Sequence, residues 1–71
     1  YIEVILEQNL RGERCAIQRY QSLAAMTDGK DYATYQMAIT ILNEELEHEH
    51  DIEDFIADIE RLKEDIRQFR L

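Results

Sequence analysis

Glu45-Leu46-Glu47-His48 places a carboxylate and an imidazole three residues apart. On a helix, that spacing stacks the two groups on one face, where both can reach a single metal ion. A third candidate is Glu13, which interrupts an otherwise apolar stripe in the first part of the chain. Two carboxylates and an imidazole facing one another in a narrow interior would repel or take up protons, and a bound cation removes that cost. Hard carboxylates with imidazole suit iron or manganese, with zinc as a substitute, whereas a structural zinc site more often uses cysteines. Cys15, two residues beyond Glu13, lies about 200° round the helix and off the ligand face.

Each of these residues also has a plainer reading. Glu13 alone is a polar residue at the edge of a stripe, and His48 alone is a buried histidine satisfied by a neighbour. Tyr20 is a packed core tyrosine or a group near the site. Glu45 and His48 together on one uninterrupted stripe favour the metal.

Two helices must position these groups. The chain has no proline, and its strongest turn signal is Thr27-Asp28-Gly29-Lys30-Asp31. This predicts a helix over about 3–26, a turn over about 27–31 and a helix over about 32–70. Gly29 is placed for the left-handed conformation after the first helix, and Asp31 for capping the second. So short a connection implies antiparallel packing. The first stripe reads Ile2, Leu6, Leu10, Glu13, Ile17, Tyr20, Ala24. The second reads Ala38, Ile41, Glu45, His48, Ile52, Phe55, Ile59, Leu62, Ile66, Phe69 in alternating steps of three and four. That 3.5-residue repeat belongs to bundle seams, so Glu13, Glu45 and His48 are expected to face a packed interior.

In an antiparallel hairpin centred on Gly29, residues at one level have numbers averaging 29. Glu13 and Glu45 meet that condition, as do Tyr20 and Ala38. The same rule sets Tyr1 opposite about residue 57 and leaves Ile59, Leu62, Ile66 and Phe69 without a partner in the hairpin. Those four residues predict a contact with another chain, a missing segment or an end that folds back. Leu42, Leu46 and Ile56 widen the apolar face. Glu44, Glu47, Glu49 and Asp51 are expected to point away from the seam, and His50 to lie on the surface.

Composition narrows the function classes. Seventy-one residues are room for one small unit, whose core is marginal without a disulfide, a metal or a partner. One cysteine cannot close an internal disulfide. A net charge of −8 with no basic cluster argues against nucleic-acid binding through this segment and against an anionic membrane surface. No apolar run approaches the ~20 residues needed to span a bilayer, and no secretory leader is evident. The expectation is a soluble, cytoplasmic chain, and its start at Tyr1 instead of methionine suggests a processed or truncated polypeptide.

The stretch Asn9-Leu10-Arg11-Gly12-Glu13-Arg14-Cys15-Ala16-Ile17-Gln18-Arg19-Tyr20 resembles the metal-bearing Glu-x-x-Ala-Ile-x-x-Tyr segment of ferritin-like proteins. Met26-Thr27-Asp28-Gly29-Lys30-Asp31, Thr34-Tyr35 and Ile41-Leu42-Asn43-Glu44-Glu45-Leu46-Glu47-His48-Glu49 resemble the second helix pair of Dps-like ferritins and bacterioferritins. The resemblance covers roughly residues 5 to 55. It implies an all-α antiparallel hairpin forming half of a ferritin-like four-helix bundle. Its di-iron centre takes a Glu from each of two helices and a Glu-x-x-His from each of the other two. Glu13 is then a terminal or bridging carboxylate, Glu45 a bridging carboxylate, His48 the imidazole ligand, and Tyr20 a hydrogen-bonding or redox-sensitive neighbour.

The missing helix pair would come from a second copy, as in encapsulated ferritins, or from an N-terminal half of the same subunit. The implied activity is ferroxidase: oxidation of Fe(II) by dioxygen or peroxide for iron storage or oxidative-stress protection. A rubrerythrin-like peroxidase is the alternative within this chemistry, and a metal-free helical dimerisation module the alternative outside it. Some Dps-like members carry a cysteine pair near the metal, and this chain has only Cys15.

Overall fold

A computed structural model describes residues 1–69 of the chain, so the expected helix end at 70 lies outside the described residues. Two helices account for nearly all of it: α1 (Ile2–Thr27) and α2 (Tyr32–Phe69). They form an antiparallel hairpin measuring 63 × 15 × 12 Å. Both helices run uninterrupted because no proline breaks them and straight-chain residues dominate their exposed faces.

Local chemistry sets the turn. The Thr27 hydroxyl donates to the Leu23 carbonyl at 2.8 Å, and the Asp28 amide donates to the Ala24 carbonyl at 2.9 Å. Gly29 then reverses the chain at φ 72, a value that L side chains rarely adopt. Asp31 caps α2: its Oδ1 accepts from the Thr34 amide at 3.2 Å and its Oδ2 from the Thr34 hydroxyl at 2.6 Å. These two bonds hold the Asp31 carboxyl below its usual range.

The core is thin. Leu10, Ile17 and Ala24 are buried at seven-residue intervals on α1, and Ala38 on α2 is fully buried at 0% exposure. Ala24 and Ala38 are small, so the helices can approach closely near the turn. A compact chain of this length would have a radius of gyration of about 11 Å, and here it is 17.3 Å. The accessible surface is 5756 Å², against about 4,700 Å² for a compact monomer of this mass. The hairpin therefore exposes more total surface than a single globular unit of its mass, and Met37, Phe55, Leu62, Ile66 and Phe69 are among its exposed large apolar side chains.

The cross-chain register departs from the simple averaging rule. Arg14 meets Glu49 at 3.1 Å, and Glu3 pairs with Lys63, an ion pair that keeps the Glu3 carboxyl below its usual range. Tyr1 thus stands nearer the level of the low sixties than of residue 57. Side chains on a helix lean toward its N-terminus. In this hairpin those of α1 lean away from the turn and those of α2 toward it, so contacting residues average more than 29. As a consequence Ile59 is half-buried, contrary to the expectation that it lacks a partner. Leu62, Ile66 and Phe69 are exposed as expected, Leu62 at 59% and Phe69 at 93%, and the end of α2 does not fold back.

The seam along α2 also rotates. An α-helix turns every 3.6 residues, so a strict 3.5-residue stripe drifts by about 20° per heptad unless the helices supercoil. Here the half-buried positions run Glu45, Glu49, Ile52, Ile56, Ile59, while His48 and Phe55 move to the flank. This corrects three expectations. His48 does not face a closed interior, Phe55 is half exposed, and Glu49 turns toward α1.

Candidate metal centre

α1 carries Glu13 and α2 carries Glu45 and His48, and the hairpin gathers them. One ligand atom from each of the three lies within 4.8 Å of the other two. His48 Nδ1 is 3.7 Å from Glu13 Oε2 and 4.0 Å from Glu45 Oε1, both beyond hydrogen-bond reach. The carboxylates are largely covered, with side-chain exposures of 24% for Glu13 and 20% for Glu45, while that of His48 is 56%. The group therefore sits at the lip of the seam, with two covered oxygen donors beneath one open imidazole.

One atom in this group is left without a hydrogen-bond partner. Glu13 Oε2 is buried and receives no hydrogen bond. An unpaired buried carboxylate oxygen is costly to leave unsatisfied. Donors around one ion at about 2.0–2.2 Å stand about 3–4 Å apart, close to the separations between these three groups. The donor set, two carboxylates and an imidazole, fits iron or manganese.

On the opposite flank of the same level stands a second polar group. Arg14 Nε donates to Glu49 Oε2 at 3.1 Å, and Arg14 Nη2 lies 3.7 Å from Glu53 Oε2. Arg14 and Glu49 directly follow Glu13 and His48 in sequence, about 100° round each helix. A reading of stripes alone missed this pair. Allowing for the lean of side chains toward their N-termini would have brought Arg14 and Glu49 into register.

Tyr20 is half-buried on α1, seven residues and about 10 Å along the helix from Glu13. His50 is exposed and pairs with Asp54 at 3.3 Å, away from the candidate centre, as expected. Cys15 is exposed. Among the described residues no helix is long and apolar enough to cross a membrane.

Comparison with known proteins identifies the family. The family model described as a ferritin-like domain matches residues 1–62. The DNA protection during starvation protein of Pyrococcus furiosus is 46% identical over 56 residues, which cover 79% of this chain and 30% of that protein. The chain thus spans less than a third of that relative. No solved structure matches. A family match over nearly the whole chain, on a helical hairpin that gathers two carboxylates and an imidazole, places the chain in the ferritin-like family, on its Dps-like side.

Proposed function

We propose that this chain supplies half of a di-iron ferroxidase centre, acting in iron storage and protection against oxidative stress. The observation that carries the reading is the gathering of Glu13, Glu45 and His48 around a buried, unpaired carboxylate oxygen. In this reading Glu13 and Glu45 hold Fe(II) by their oxygens and His48 by an imidazole nitrogen. Bound iron supplies one-electron redox chemistry toward dioxygen or peroxide.

The protein's own part is positional and electrostatic. Two carboxylates bring negative charge to a partly dehydrated lip, where it favours cations more than it would in bulk water. The exposed imidazole lies on the face that a second helix pair would cover. Glu-x-x-His on one rigid helix fixes the distance between two donors, so only Glu13 depends on how the helices pack. Tyr20 lies about 10 Å along α1 from Glu13, too far to bind the same ion; in this reading it would act as a hydrogen-bonding or redox-sensitive neighbour.

Three donors are half of the set described for four-helix carboxylate centres. A second helix pair, from another copy or from the rest of a longer subunit, would complete it. The exposed apolar surface supports this: Met37, Phe55, Leu62, Ile66 and Phe69 share a roughly 60° arc of α2 with His48. The excess accessible surface, roughly 1,000 Å², is comparable with one partner's share of a stable interface, about 800 Å².

The test is an anaerobic Fe(II) titration followed by admission of oxygen, with wild type and Glu45→Ala in parallel. Saturable binding and a ferric chromophore are expected only for wild type. No saturable binding, or equal behaviour of the variant, overturns the reading and leaves the metal-free dimerisation module. Repeated turnover of peroxide at the expense of an added reductant, without net accumulation of Fe(III), would favour the rubrerythrin-like peroxidase.

A further inference from the structure

We propose that Arg14 is a positioning residue for the candidate metal centre, holding α1 against α2 at the level of Glu13, Glu45 and His48 through Glu49 and Glu53. This inference rests on the metal reading above and adds to it a group that does not touch the metal.

Glu45 and His48 are fixed relative to each other by α2, but Glu13 sits on the other helix. Its distance from them is set by how α1 packs at this level. Packing at this level rests on few fully buried side chains. The buried side chains of α1 nearest the site are Leu10 and Ile17, and α2 has a buried side chain only at Ala38, near the turn. Without a cation, Glu13 and Glu45 also repel each other across the seam, which pushes the helices apart.

The Arg14 guanidinium opposes that repulsion from the rear of the seam. It donates from Nε to Glu49 at 3.1 Å and reaches toward Glu53, one helical turn further on, at 3.7 Å. The guanidinium makes one directional hydrogen bond, to Glu49, while Glu53 at 3.7 Å is beyond hydrogen-bond reach and adds charge attraction along the helix; a point charge would lack the directional part. Glu49 is largely covered, with its side chain 23% exposed, while Arg14 reaches it from the surface at 52% exposure, so the covered partner anchors the exposed one. Two carboxylates surround one guanidinium, so Arg14 presents no net positive field to an arriving cation. The neighbours of Glu13 and His48 in sequence thus form a cross-link on one flank, and Glu13 and His48 themselves converge on the other.

The experiment measures Co(II) affinity and the visible Co(II) spectrum of wild type, Arg14→Met, Arg14→Lys and the charge-swapped pair Arg14→Glu with Glu49→Arg. Circular dichroism establishes the helix content of each. Arg14→Met should bind Co(II) about 10- to 100-fold more weakly, the range typical of groups that orient metal ligands. Its spectrum should shift while its helix content is unchanged. Arg14→Lys, which keeps the charge and loses the fork, should recover only part of the affinity, and the swapped pair should recover most of it. Arg14→Met affinity within twofold of wild type, with an identical spectrum, overturns the proposal. So does a swapped pair that stays helical yet binds no better than Arg14→Met. Failure of wild type itself to bind Co(II) at all would instead count against the metal reading, so the two failures are separable.

Discussion

At the level of Glu13 the hairpin has two flanks, and they treat their polar groups in opposite ways. On one, Arg14 donates a hydrogen bond to Glu49 and lies 3.7 Å from Glu53, opposite charge against opposite charge. On the other, Glu13, Glu45 and His48 converge without a hydrogen bond among them and with one buried oxygen unpaired. The difference is between a flank whose charges are paired within the hairpin and one whose buried carboxylate oxygen has no partner there. A flank built only for stability would have placed a lysine or arginine where Glu13 and Glu45 meet. The unsatisfied flank is also the apolar one, bordered by Phe55, Leu62, Ile66 and Phe69.

The sharpest way to break this contrast is to remove a donor from the open flank. Glu13→Ala should lower Fe(II) or Co(II) affinity by at least about 100-fold (~2.7 kcal/mol), read by equilibrium titration, while leaving helix content unchanged. Satisfying the flank artificially tests the same point from the other side. Glu45→Lys should pair with Glu13, remove metal binding and raise the melting temperature.

Next in size is the packing that both flanks share. Ile17→Ala removes a buried side chain from a core of four and should cost about 2–4 kcal/mol, read by urea unfolding. Changing the apolar border acts on association instead of folding. Leu62→Glu and Ile66→Glu together should weaken any self-association by about tenfold (~1.4 kcal/mol), read by sedimentation, with little effect on the hairpin itself.

Smaller effects belong to the turn. A Cβ at Gly29 would meet nothing within 4 Å, so Gly29→Ala should cost about 1–2 kcal/mol, purely from its φ of 72. Asp31 gives the smallest signal and the one with a pH signature. Its folded carboxyl titrates below the usual value near 3.9, so its capping contributes fully above about pH 4 and is lost as pH falls further. Thermal melts of wild type and Asp31→Ala should differ at pH 7 and converge toward pH 2.

Much of this was legible beforehand. The missing prolines, the Gly29 and Asp31 signals and the stripe spacing define two antiparallel helices, and the structure has each end within one residue of expectation wherever it describes it. Glu13, Glu45 and His48 were legible because each breaks an apolar stripe at one level. The outward tilt of His48 was not, since the drift of a 3.5-residue stripe on a 3.6-residue helix depends on how far the helices supercoil. Arg14 and Glu49 were hidden for a related reason. Long side chains leaning along their helices meet several residues away from the level of their own backbones.

The central claim is that iron binds between Glu13, Glu45 and His48. X-ray absorption on the iron-loaded chain tests it most directly. A mixed oxygen and nitrogen shell that loses its imidazole contribution in His48→Ala, together with a second iron atom close by, is the expected result. An oxygen-only shell unchanged by His48→Ala would contradict it.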